Sequence, residues 1–100
     1  MQFSEEIMKV LSLSDIAIFS KPNCVYCNDL KEFLEGVTEF VVADVEGMPK
    51  HVYEEFVETV LANTDLKAFP ICFMNKQYIS VSDLKKKLML SFKDDDIDNI

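Results

Sequence analysis

The stretch Asp15-Ile16-Ala17-Ile18-Phe19-Ser20-Lys21-Pro22-Asn23-Cys24-Val25-Tyr26-Cys27 sets the architecture of this chain of 100 residues. Asp15 to Phe19 is short and rich in β-branched and apolar side chains, which reads as a strand running into Ser20-Lys21-Pro22-Asn23. Pro22 ends the strand, and Asn23 can cap the helix that follows. That helix should cover about residues 24–34, with Cys27, Leu30 and Leu34 on one face and Gly36 stopping it.

On the amino-terminal side, Phe3, Ile7, Val10 and Leu11 are spaced to share one side of a short extra helix. Ser4 can cap it, but Ile7 stands where a capping box has a glutamate. On the carboxyl-terminal side, Phe40-Val41-Val42-Ala43-Asp44 is a second strand, apolar enough to be expected buried on both faces. After Gly47, Pro49 suits the first turn of a helix in which the pairs Val52-Tyr53, Phe56-Val57 and Val60-Leu61 recur every four residues. Ile71-Cys72-Phe73-Met74 is the third strand, and Asn75-Lys76 forms a hairpin turn into Gln77-Tyr78-Ile79. Ser82 with Asp83 is expected to cap a last helix with Leu84, Leu88 and Phe92 as its packed stripe and Lys85, Lys86 and Lys87 toward solvent. A tail with clustered like charges at Asp94, Asp95 and Asp96 follows, and it is expected to fray.

Strands joined by a crossover helix pair in parallel, and a closing hairpin adds antiparallel partners. The expectation is therefore an α/β fold, a four-stranded mixed sheet covered by helices on both faces, with the extra helix at the amino terminus. The length fits one domain spanning 1–100, with its core at about 15–92 and the acidic tail at 93–100.

Composition narrows the function classes. Ten basic against eighteen acidic residues give a net charge of -8, which disfavours a nucleic-acid partner. No run approaches the roughly 18 consecutive apolar residues of a membrane span. Glu5 and Glu6 stand where a secretory signal carries positive charge, so a cytoplasmic protein is expected. A monomer is expected as well. Three cysteines are too few and too unevenly placed for a disulfide scaffold, which leaves redox work, metal binding or burial.

Two cysteines three positions apart at a helix start can bring their sulfurs together within one turn. Unpaired backbone N–H groups at that terminus stabilise a thiolate. Cys24, at the loop edge, is the candidate nucleophile, and Cys27, one turn inward beside Leu30, would resolve the mixed disulfide. Lys21 could add positive charge and Tyr26 could wall a groove, whereas Asp29 would favour the protonated thiol. Pro70 by itself reads as a trans strand starter. Beside the dithiol, a cis Phe69-Pro70 bond would turn the Phe69 backbone toward Cys24, where its N–H and C=O could pair with an extended substrate. A zinc site built from Cys24, Cys27, Cys72 and His51 is the competing reading. Against it, Cys72 lies amid Ile71, Phe73 and Met74, the ordinary setting of a buried thiol, and His51 reads as exposed and incidental.

Lys21-Pro22-Asn23-Cys24-Val25-Tyr26-Cys27 resembles the active-site segment of dithiol glutaredoxins, which have Cys-Pro-Tyr-Cys or a close variant after a strand; Val25 replaces the proline. Phe69-Pro70 resembles the Val-Pro segment of that family, with its cis-proline. Ile79 to Leu84 falls where the family has a Gly-Gly pair and then an aspartate before the last helix, and here Ser80-Val81 stands in place of the glycines. The resemblance covers about residues 15–92. It implies a thioredoxin fold and a glutathione-dependent thiol-disulfide oxidoreductase acting on protein disulfides or glutathione mixed disulfides. It implies Cys24 as attacking thiolate, Cys27 as resolving thiol, and glutathione as reductant held beside Tyr26 and the Phe69-Pro70 bond. Lys21 would pair with the glycyl carboxylate, and the Ser82-Asp83 helix start would take the γ-glutamyl end. Two other activities belong to the same resemblance. In one, Cys24 from two subunits and two glutathiones hold a [2Fe-2S] cluster. In the other, a flavoprotein reductase serves a thioredoxin-like donor, against which the lack of tryptophan and of Gly-Pro between the cysteines counts.

Overall fold

The computed structural model describes residues 2–64 and 68–98, with side chains as far as Met89. The elements in order are α1 (Glu5–Leu13), β1 (Ile16–Ser20), α2 (Val25–Glu35), β2 (Val41–Asp44), a 3-10 turn (Val45–Gly47), α3 (Lys50–Asn63), β3 (Ile71–Met74), β4 (Gln77–Ile79) and α4 (Val81–Asp98). The sheet order is β2-β1-β3-β4. β1 pairs in parallel with β2, while β3 is antiparallel to both β1 and β4. This is the expected thioredoxin fold, a four-stranded mixed sheet between helices, with an additional amino-terminal helix.

The alternation along the central strands divides the interior in two. Ala17 and Phe19 of β1 and Ile71 and Phe73 of β3 face α1 and α3, where Ile7, Leu11, Val52, Phe56 and Val60 cover them. Ile16 and Ile18 of β1 and Cys72 of β3 face the other way, under Leu30 and Leu34 of α2 and Leu84 of α4. The first layer is aromatic. Phe56 lies 4.5 Å from Phe19, and Phe3, just ahead of α1, lies 5.5 Å from both Phe56 and Phe73. Ring pairs at such separations add attraction beyond the area they bury.

Several local expectations are corrected. β2 is not buried on both faces: it is an edge strand, with Val41 and Ala43 packed on the aromatic layer while Val42 is 41% exposed and Asp44 faces solvent. The strand buried on both faces is β1, all five of whose residues are covered. Asn23 does not cap α2; it takes a left-handed conformation at φ 58°, which asparagine tolerates, and leaves the cap to Cys24. Pro49 is the cap of α3 rather than a first-turn residue, and its carbonyl accepts the amides of Val52 and Tyr53, each at 3.0 Å. Ser82 and Asp83 lie inside the first turn of α4. Ser80 precedes it, its hydroxyl accepting the Asp83 amide at 3.1 Å and its carbonyl the Leu84 amide at 2.9 Å. Ser4 caps α1 by position alone, its buried hydroxyl making no hydrogen bond.

Leu84 is buried and Leu88 packs beside it, while the expected Phe92 contact lies outside the described side chains. The backbone of α4 is helical as far as Asp98. The Asn75-Lys76 turn adopts φ 52° and 67°, the left-handed pair that a two-residue hairpin of the sheet's twist requires.

Two stability outcomes follow from this packing. Phe56→Ala should lower unfolding free energy by about 3–5 kcal/mol in a denaturant titration, because Phe56 touches three other rings and is 1% exposed. Lys76→Gly should raise it by up to about 1 kcal/mol, since glycine adopts positive φ without the steric cost lysine bears.

Candidate active site

Cys24 sits at the cap position of α2, in extended conformation at φ -98° and ψ 111°. Its sulfur accepts the Cys27 amide at 3.2 Å, and its carbonyl accepts the Asn28 amide at 3.1 Å. A sulfur thus takes the place that a serine or aspartate oxygen fills at an ordinary helix start, facing the positive end of the helix dipole. What anchors the geometry is the buried row Cys27, Leu30 and Leu34, which holds α2 against the sheet.

The second wall comes from the segment before β3. The Phe69-Pro70 bond is cis, and the Phe69 carbonyl stands 4.0 Å from the Cys24 sulfur, as an acceptor for its thiol. Pro70 is buried beneath it. The Lys21 ammonium lies over the Phe69 ring at 4.6 Å from its centroid, a cation–π contact that keeps positive charge on the sulfur's side of the groove. Together with Tyr26, which is 74% exposed, these residues open on a groove of about 460 Å³.

Cys24, Cys27 and Cys72 are all free thiols, in unlike surroundings. Cys24 is half-buried and lines the groove. Burial, reinforced by the side-chain hydrogen bond with Cys24, pushes the Cys27 thiol up to about 11. Burial, with Cys27 nearby, pushes Cys72 up to about 12. Cys72 belongs to the layer under α2 and α4, as the apolar reading of β3 anticipates, and His51 is exposed in the first turn of α3. Among the described residues, no three His, Cys, Asp or Glu side chains gather as a metal-ligand set.

Of the residues singled out from the sequence, Lys21, Cys24, Tyr26 and Phe69 therefore line one groove, over the buried Pro70 and Cys27. Ser82 and Asp83 are exposed and are not part of that lining; Asp83 borders a separate hollow with Tyr78, Lys86 and Lys87. Sequence reasoning missed the opposite wall, which is Tyr53, Val57, Val60 and Leu61 of α3 with Ala68 and Ile71. Its signal was present in the doubled apolar pairs of α3, which supply one residue to the core and one to the groove.

A thioredoxin-type sheet carrying a Cys-x-x-Cys dithiol at the start of α2, opposite a cis-proline, defines a thiol-disulfide oxidoreductase. The glutaredoxin family model matches residues 16–79, and the chain belongs to that family. Solved structures agree on the fold. The dithiolic glutaredoxin 2-C-Grx1 of Trypanosoma brucei brucei superposes with TM-score 0.66 at 23% identity, over 80% of this chain and 82% of that one. Reduced glutaredoxin C1 of Populus tremula x tremuloides gives 0.67 at 20% identity, over 86% and 77%. A monomeric truncated mutant of Trypanosoma brucei 1-C-Grx1 gives 0.65 at 20% identity, over 97% and 89%. No curated protein sequence matches the chain. Among the described residues, no helix is long and apolar enough to cross a membrane.

The three environments predict a graded reactivity. Brief treatment of the reduced, folded protein with iodoacetamide at pH 8 should label Cys24 alone, with Cys27 and Cys72 labelled only after unfolding, as read by peptide mass spectrometry. Because Cys27 and Cys72 hold their protons more tightly folded than unfolded, the unfolded chain releases protons first as pH rises. Stability should accordingly be unaffected by these thiols below about pH 8.5, the ordinary thiol value, and fall from there toward about 11 and 12. Cys72→Ala should flatten that alkaline decline in pH-dependent denaturant titrations.

Proposed function

We propose that the chain reduces protein disulfides and glutathione mixed disulfides with glutathione as electron source, with Cys24 as the attacking sulfur and Cys27 as the resolving one. The observation that carries this reading is the placement of the Cys24 sulfur: at the cap of α2, receiving the Cys27 amide, and open to a groove faced by the Phe69 carbonyl.

In the first step the Cys24 thiolate attacks one sulfur of the substrate disulfide. The old S–S bond breaks, and the leaving sulfur departs with the electron pair and takes a proton. The Phe69 backbone can pair with the extended segment flanking the substrate cysteine, which lines its disulfide up with Cys24. In the second step Cys27 loses its proton and attacks Cys24, releasing the second substrate thiol and leaving a Cys24–Cys27 disulfide. Two of the influences that raise Cys27, the hydrogen bond and the charge of Cys24, are removed once Cys24 is tied up in a mixed disulfide. The resolving thiol therefore ionises more easily at the stage that needs it. Two glutathiones return the site to the dithiol: the first forms a mixed disulfide with Cys24, and the second removes it as glutathione disulfide.

For glutathione itself, the Lys21 ammonium is the cation for the glycyl carboxylate, and Tyr26 and the Phe69-Pro70 backbone flank the cysteinyl part. The γ-glutamyl end would lie toward Ser82 and Asp83. There the Asp83 amide is already taken by Ser80, and the Asp83 carboxylate is a partner for the γ-glutamyl ammonium.

Cys24→Ser should abolish both activities. Cys27→Ser should retain reduction of a glutathione mixed disulfide, within about threefold, and lose at least about 90% of protein disulfide reduction, since only the second requires the resolving step. Parallel assays with glutathione and glutathione reductase, or with thioredoxin reductase, check the electron source; a Cys27→Ser protein that is folded yet inactive in both reactions refutes the division of roles.

A further inference from the structure

Strand β2 closes one end of the sheet, and among the described residues no strand pairs with its outer edge. Its residues Val41–Asp44 pair with β1 in unbroken parallel register, so no bulge twists the edge away. Nor does the strand hold a lysine or a proline, the residues that most often blunt an open edge. Val41 and Ala43 pack on the aromatic layer and hold the strand in place, while Val42 is exposed on the opposite face. An edge left in this state presents backbone N–H and C=O groups to an incoming strand.

The side chains around the edge decide what can add to it. Glu32, Glu35, Glu39, Asp44 and Glu46 are exposed, and no lysine or arginine occurs between Lys31 and Lys50. Glu39 stands just ahead of the strand, Asp44 is its last residue, and Glu46 follows. One carboxylate oxygen of Asp44 accepts the Glu46 amide at 2.9 Å, which fixes that charge at the end of the strand. A second copy of this chain is therefore a poor occupant. Two β2 edges related by a two-fold axis meet as antiparallel strands, which sets Glu39 of each copy against Asp44 or Glu46 of the other. Like charges facing each other across a strand pair repel. An acidic partner meets the same repulsion. An extended segment with lysine or arginine at both ends and an apolar residue between meets the reverse: its ends reach Glu39 and Asp44, and its middle covers Val42.

We propose that the outer edge of β2 docks an extended basic segment of a partner protein, which adds to the sheet as a further strand. This surface is separate from the groove at Cys24, whose lining includes no residue of β2.

The test titrates the isotope-labelled full chain at low ionic strength with capped hexapeptides, each carrying two valines flanked on both sides by a pair of lysines or a pair of glutamates. The lysine peptide should bind with a dissociation constant of about 1 mM or tighter. It should shift the NMR amide signals of residues 41–44 and slow hydrogen exchange at those that face outward. The glutamate peptide should do neither. N-methylation of both valines keeps the charge of the lysine peptide but removes a donor that the edge accepts, so binding should weaken by at least about fivefold. The Glu39→Gln, Asp44→Asn double variant should weaken it by at least about fivefold as well, and the loss should shrink as salt is added. Both positions are exposed, asparagine retains an acceptor for the Glu46 amide, and circular dichroism verifies the fold. No response at residues 41–44, or unchanged exchange there, overturns the proposal. Equal binding of the N-methylated peptide overturns it too, because attraction between charges alone would then account for the contact. Undiminished binding by the double variant removes the acidic residues as its cause. Signals of β2 that move with protein concentration in the absence of peptide make a second copy the occupant and refute the basic segment.

Discussion

Everything at the site depends on β1 being covered on both faces and paired along both edges. A strand so enclosed has one register with each neighbour, because a shift of one residue would exchange its two packed faces. In that register Ser20, the last residue of β1, pairs with Asp44, and Phe19 pairs with Ile71, the first residue of β3. The turn leaving β1 and the segment arriving at β3 are therefore brought to the same end of the sheet. The meeting of Cys24 with the Phe69 carbonyl, 45 positions apart in the chain, follows from this antiparallel pairing and needs no contact of its own to sustain it.

The same enclosure divides three chemically identical side chains. Cys24 lies beyond the last buried turn, where backbone donors and solvent both reach it. Cys27, three residues further, has turned under the helix, and Cys72 lies on the strand beneath. Desolvation disfavours the thiolate at both of those positions, so only one sulfur is both accessible and supplied with donors. A dithiol needs this asymmetry: two equally exposed thiolates would offer no preferred order of attack and resolution.

Helix α3 completes the site from the opposite wall while serving the aromatic layer below. Phe56 anchors it among Phe3, Phe19 and Phe73, which fixes the rotation of the helix about its axis. With that rotation set, the adjoining row of Tyr53, Val57 and Leu61 lines the groove. Core packing and the character of the groove wall are thus two consequences of one helix orientation.

The order of the elements, the parallel and antiparallel pairings, the hairpin at Asn75-Lys76 and the buried face of α2 were legible in the chain itself, because each rests on local periodicity or turn chemistry. The Cys-x-x-Cys pair and its likeness to glutaredoxins were legible for the same reason: three residues of spacing on one helix is a local matter. Which strand lies at the sheet edge was not, since β2 has the apolar composition of a central strand and only the packing order exposes Val42. The caps of α2 and α4 went to Cys24 and Ser80 instead of their neighbours because the exact residue at which a chain turns depends on where the sheet releases it. The groove wall on α3 was beyond reach for a related reason. A doubled apolar stripe marks a helix with two apolar neighbours, but which row meets the core and which meets a ligand is decided by helix rotation, and that is settled only when the aromatic layer closes.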